Sequence, residues 1–355
     1  MSHQANAVGA AASSSNTQPL ASLADHPATE AFAQELRSRG YTDAAIANVS
    51  YARRDRFHRE FGPRMTSAFP ESAPASTRKV VEIGCGAGSV THAFTEIFKN
   101  VDAFEIDLQM FELCLERKKA YGLDNLELHH LPPADVVAAA VSAAEPGSVF
   151  MLFAVLEHMT EDERLATLSG LWKAMDPQTG IPDAHIYVGN TPNRLSWQDL
   201  HTHEIPFLIG LPDKTAHRYL GLHPDLKLAS HLLQSHVQGG EEGFALTRAR
   251  RGLGVSFHDF EIAFEGVDLD TCVILPDIVK PWQSHDALLM SFLLSENIKV
   301  PVCFGVRDMN FMLKRPRDKA EADAIRAHNV SIRKTYATMA AKQLDKISRD
   351  LLASD

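Results

Sequence analysis

The chain has 355 residues, which at about 150 residues per domain allows roughly two units or one enlarged α/β domain. Hydrophobic residues make up 45% and charged residues 23%, an ordinary globular composition that excludes wholesale disorder. A formal net charge of −10 makes the whole chain a poor binder of nucleic-acid backbone, although it leaves room for a local basic patch.

Four cysteines (Cys85, Cys114, Cys272, Cys303) are widely spaced with no CxxC, which fits a reducing, cytoplasmic setting and excludes a zinc ribbon. The most apolar stretch, 149–156, is far shorter than the ~18 residues a membrane span needs. The first residues lack a basic segment followed by a dense apolar one, so no signal peptide is expected. Residues 1–25 are rich in Ala, Ser, Asn and Gln and read as a flexible tail.

Residues 26–76 read as N-terminal helices, broken at Gly40, followed by a connector rich in Pro, Ser and Ala. The second helix carries Arg53, Arg54, Arg56, Arg59 and Arg64 mixed with Asp55 and Glu60. That pattern fits a phosphate-binding patch or, more simply, a solvated face with its own ion pairs. A β–α alternation starts at residue 78. KVVEIG, VDAFEID, LELHHL, SVFMLFAVL and AHIYVGN are predicted strands, separated by helices over 89–100, 108–120, 134–144 and 160–175. Such a run implies an open, doubly wound sheet with helices on both faces. Residues 191–243 break the pattern, follow a strand's carboxyl end and are rich in His and Pro, so they are expected to form a lid insertion over a ligand site. VSFHDFEIAF and VCFGVRDMNFMLKR are predicted closing strands, with a partly helical span between them. Residues 317–355 form a C-terminal helix whose apolar stripe fits packing on the body or on a second subunit, as in a homodimer.

The first strand runs into Glu82-Ile83-Gly84-Cys85-Gly86-Ala87-Gly88. Glycines where a strand becomes a helix let the backbone approach a ligand and expose free amides. The GxGxG spacing disfavours a dinucleotide, whose pyrophosphate needs GxGxxG. Glu105 ends the second strand, 21 residues after Gly84, where a carboxylate can hold both hydroxyls of a ribose. Glu82 adds a charge suited to a cationic ligand.

This combination of acid, glycine loop and acid resembles the class I S-adenosylmethionine-dependent methyltransferases. The resemblance runs motif by motif over 80–190 and more loosely to 315. It implies a Rossmann-like fold with a seven-stranded, mostly parallel sheet, and a methyltransferase domain over 77–316. It implies S-adenosyl-L-methionine as cofactor and makes Glu82, Gly84, Cys85, Gly86, Gly88, Glu105 and Ile106 its contacts. Many members place an Asp directly after the third strand to hold the adenine amine. This chain has HHLPPAD there, which leaves Asp135 or backbone and Leu131 for that task.

VFMLFAVLEHM then corresponds to the family's fourth motif, whose end faces the methyl donor. His158 closes it and is a candidate general base, the competing role being structural. The stretch TPNRLSWQDLHTHEIPFLIGLP resembles one found after the fifth strand in bacterial methyltransferases of glycans and small metabolites. Its His201 and His203 are further catalytic candidates, pointing the same way as Asp199 if the chain is extended. With Glu157 and His158 they could also bind a metal, but the Glu-x-x-Glu-His pattern of metal-dependent members is broken here by Ala154, so no metal is expected. The expected reaction is methyl transfer to a small-molecule or glycan acceptor at oxygen. The alternatives are a nucleic-acid methyltransferase using Arg53–Arg64, which the acidic charge disfavours, and a non-catalytic cofactor-binding subunit.

Overall fold

The computed structural model describes residues 22–197, 205–226, 229–274 and 284–352. Four short helices come first: α1 (Pro27–Ser38), α2 (Asp43–Ala47), α3 (Arg53–Glu60) and α4 (Gly62–Thr66), with a π-helical turn, Asn48–Ala52, between α2 and α3. The alternation that follows is β1 (Lys79–Ile83), α5 (Thr91–Ile97), β2 (Asn100–Glu105), α6 (Leu108–Tyr121), β3 (Leu126–His130), α7 (Pro133–Ala143), β4 (Val149–Phe153), α8 (Glu161–Ala174) and β5 (His185–Pro192). Then come α9 (Asp213–Leu222), α10 (Ala229–Arg251, kinked at Gly240), α11 (Phe257–Ala263), α12 (Ser284–Ser295), β6 (Asp308–Lys314) and α13 (Lys319–Leu352).

The strands form one sheet in the order β3-β2-β1-β4-β5-β6, parallel except for β6, which runs antiparallel to β5. The order reverses between β1 and β4, and the loops after β1, β2 and β4 share the carboxyl edge where open α/β sheets bind ligands. Val81, Ile83, Phe104, Phe150, Leu152, Ile186 and Val188 face the core under α7, α8 and α11. Val80, Val101, Val149, Met151 and Tyr187 face the opposite core, closed by α3, α4 and α5. A sheet apolar on both faces is what the unbroken β4 run dictates.

The helix ends are set locally. Thr160 and Glu163 form a reciprocal capping box at the start of α8, and Asp107 caps α6. Two expectations are corrected. Among the described residues the sheet has six strands, not the seven expected, and an isolated antiparallel bridge joins Val273 to Leu313 of β6. VSFHDFEIAF, expected as a strand, is instead helix α11, because Ser256 and Asp259 form a capping box that starts a helical turn. The C-terminal helix α13 packs against α12 and is pinned to the body. Asn329 Nδ2 donates to the Asp270 and Val273 carbonyls at 2.9 Å each, and Arg333 pairs with Asp270.

Candidate active site

The glycine loop leaves β1 hydrogen-bonded to the end of β2: the Gly84 amide donates to the Phe104 carbonyl at 2.8 Å and the Cys85 amide to the same oxygen at 3.2 Å. Gly84 has φ +77°, and a Cβ there would lie 2.3 Å from Val155 Cγ2, so the end of β4 is seated directly on the loop. Gly88 (φ +72°) is closed in from α6, where a Cβ would lie 2.5 Å from Cys114 Sγ and 3.0 Å from Arg117 Cδ. Gly86 differs, since a Cβ there would meet nothing within 4 Å. Of the three glycines, only Gly86 borders open space.

Glu105 is buried at the end of β2, and its carboxylate organises the loop. Oε2 accepts from the Gly86 amide at 2.7 Å, and Oε1 accepts from the Ile106 and Asp107 amides at 2.8 and 2.9 Å. Those three bonds leave roughly one of a carboxylate's four acceptor sites for a ligand hydroxyl. Glu82 is also buried, its Oε2 without a hydrogen-bond partner among the described residues. Burial pushes its carboxyl up to about 8, and the nearby Glu105 charge adds to this. Cys85 is buried, its Sγ 3.7 Å from the Gly86 carbonyl. Ile106 is exposed on the same edge, and Asp135 is exposed in the first turn of α7. Glu82, Cys85, Gly86, Glu105 and Ile106 are thus brought to one sheet edge, while Gly88 faces inward against α6.

Beyond β4 the chain turns through Ala154, a left-handed residue at φ 51°, into the short helical turn Leu156–His158. His158 Nδ1 lies 2.9 Å from the Arg250 carbonyl oxygen. A carbonyl can only accept, so Nδ1 carries the proton, while Nε2 lies 3.8 Å from Oε1 of the buried Glu157. The Arg250 guanidinium returns the contact by donating to the His158 carbonyl at 3.2 Å while paired with Glu163. Arg164, fully buried and paired with Asp259 at 2.8 Å, donates to the Leu156 and Met159 carbonyls from beneath. Sequence reasoning missed both arginines: Arg250 lies 92 residues from His158 along the chain, whereas Arg164 is near the motif and its charge on the same helix face as Leu168 and Leu171 is the signal that could have found it.

His201, His203 and Asp199 lie outside the described residues. Their neighbours Asn193 and Arg194 bond to backbone: Asn193 Nδ2 to the Phe304 and Val306 carbonyls, Arg194 to those of Leu253 and Gly254. Among the described residues one group is close enough to hold a metal, Asp102, Glu127 and His129. It lies within β2 and β3 rather than at their carboxyl ends, and Lys79 already pairs with Asp102 at 2.8 Å. The arginine patch is largely spent internally: Arg54 is buried against Glu96 and Asp55, and Arg56 pairs with Glu60 at 2.9 Å.

Residues 80–178 match the family described as a methyltransferase domain. No curated protein matches the chain. Among solved structures it is similar to the YcgJ protein from Bacillus subtilis (13% identity, 38% of this chain and 52% of that one, TM-score 0.29). It is similar also to the N-terminal domain of EvdMO1 with SAH bound (17%, 44% and 56%, TM-score 0.31). A third is the CcbJ methyltransferase from Streptomyces caelestis (17%, 40% and 53%, TM-score 0.30). The chain spans about half the length of these structures. Over residues 80–178 the chain thus carries a methyltransferase domain.

Proposed function

We propose that the chain transfers a methyl group from S-adenosylmethionine to an oxygen of a small-molecule or glycan acceptor, as a cytoplasmic enzyme. The observation that carries the reading is the pairing of Glu105 with the Gly86 amide, at the one glycine of the loop that borders open space, together with the buried Glu82 at the end of β1. That set fits a ligand with a ribose and a positive charge. When bound, the cofactor supplies an electrophilic methyl carbon on a sulfonium sulfur. Glu105 accepts a ribose hydroxyl, Glu82 supplies negative charge when a cation approaches, and Gly86 leaves room for the ligand's backbone approach. Ile106 and Asp135 are assigned to the adenine end.

On the acceptor side His158 Nε2 takes the hydroxyl proton, its ring orientation fixed by the Arg250 carbonyl. His201 and His203 are assigned to acceptor binding from the lid, whose helices α9 and α10 border a cavity of about 590 Å³ lined by Lys214, His217, Arg218 and His236. A nucleic-acid acceptor is disfavoured by the internal pairing of Arg54 and Arg56. The test is turnover of methyl donor against a panel of hydroxylated metabolites and nucleotide sugars, with and without chelator. Chelator-insensitive methylation of one class supports the reading, and transfer to RNA alone would replace it.

A further inference from the structure

Arg117, on α6, is fully buried, and no carboxylate pairs with it among the described residues. An uncompensated guanidinium in a protein interior is costly unless every donor is used. Here the donors reach three backbone carbonyls. Nε donates to Ala87 at 2.9 Å, Nη1 to Ser50 at 3.0 Å, and Nη2 to Val49. Ala87 stands between Gly86 and Gly88 in the glycine loop, whereas Val49 and Ser50 belong to the π-helical turn of the N-terminal segment. The guanidinium also lies over the rings of Phe32 in α1 (4.6 Å) and Tyr121 (5.7 Å). Burial lowers its pKa to about 10, so it stays charged at neutral pH.

The glycine loop is therefore held from two sides, by Glu105 at the Gly86 amide and by Arg117 at the Ala87 carbonyl. The second hold ends in the N-terminal segment. Ser50 Oγ, buried in that turn, has no hydrogen-bond partner among the described residues, so the turn's own side chain does not brace it. We propose that Arg117 is a positioning residue for the methyl-donor loop, coupling the loop's shape to the turn at 48–52 of the N-terminal segment. The proposal rests on the methyl-donor reading above. Lysine cannot replace the fork, because one ammonium cannot span carbonyls on both segments in fixed geometry.

The test compares S-adenosylhomocysteine affinity in the full-length wild type, Arg117→Lys and Phe32→Leu by calorimetry. Arg117→Lys should weaken binding about tenfold or more, as bonds to a charged donor are lost from the loop. Phe32→Leu, which loosens the same cluster but keeps the three bonds, should stay within about twofold. With an acceptor in hand, KM for the donor should rise in Arg117→Lys while kcat at saturating donor holds. Hydrogen exchange supplies a readout that does not need a folded variant: in the wild type, ligand should slow exchange in 48–52 together with 86–90. A lower melting temperature with unchanged affinity in Arg117→Lys, or protection confined to 86–90, would overturn the proposal. Failure of the wild type to bind at all would instead bring down the methyl-donor reading and this proposal with it.

Discussion

The side chain of Val155 occupies the space that a Cβ on residue 84 would need, with Cγ2 2.3 Å from that position. Through this one contact the glycine loop after β1 and the turn that carries His158 after β4 are fixed against each other. The glycine loop and the turn bearing the proposed base therefore form one packed unit.

Gly84→Ala should destabilise the chain by about 3 kcal/mol or more, from overpacking together with a left-handed backbone at an L-residue. Adding Val155→Ala should restore part of that loss by making room, leaving the backbone contribution. Urea unfolding of the two single variants and the double variant measures this coupling. Strictly additive losses would show that Val155 is not seated on residue 84.

Glu82 holds its proton longer folded than unfolded, about 8 against an ordinary 4.5. The folded state thus binds more protons between those values, and stability should fall as pH rises from 4.5 to about 8. Glu82→Gln should remove that decline. A cationic ligand favours the ionised form, so wild-type binding of S-adenosylmethionine, with its sulfonium charge, should tighten with pH over the same window and release a proton. Calorimetry in buffers of differing ionisation enthalpy reads the proton directly, and a buffer-independent heat in the wild type would refute the role.

Glu96 is the anchor between α5 and the N-terminal helices. Against the upward push of burial, hydrogen bonds from His58 and Arg54 bring its carboxyl down to about 2. Its contribution is present above the ordinary 4.5 and lost as pH falls toward 2. Glu96→Gln should cost about 2 kcal/mol at pH 7, since the buried Arg54 loses the charge of its Glu96 partner. The variant should match the wild type near pH 2, and an equal gap at both pH values in chemical denaturation would contradict this.

His158→Asn keeps a donor toward the Arg250 carbonyl but offers no base. It should lower kcat by roughly 100-fold or more while leaving S-adenosylhomocysteine affinity unchanged. A loss of affinity with kcat preserved would make His158 a structural residue.

The alternation of β1 to β5 was legible because each strand and helix announces itself by period and by local caps such as Thr160 and Glu163. The acid–glycine–acid constellation was legible for the same reason, being contiguous or set by one strand-helix-strand spacing. What could not be read depends on distant pairs. The Arg54 charge looks like a surface patch until Glu96, 42 residues away, meets it. Arg117 looks like an ordinary helix residue until Ala87 and Ser50 are placed around it. VSFHDFEIAF was misread because its alternating apolar residues resemble a strand, while the Ser256–Asp259 cap decides for helix.

The most direct test of the account is titration of the wild type and Glu105→Ala with S-adenosylmethionine by calorimetry. One-to-one binding in the wild type, weakened about 100-fold by Glu105→Ala, is the predicted result, since the variant loses a charged acceptor for the ligand and the brace of the Gly86 amide. Absence of binding in the wild type, or equal affinity in the variant, would contradict it.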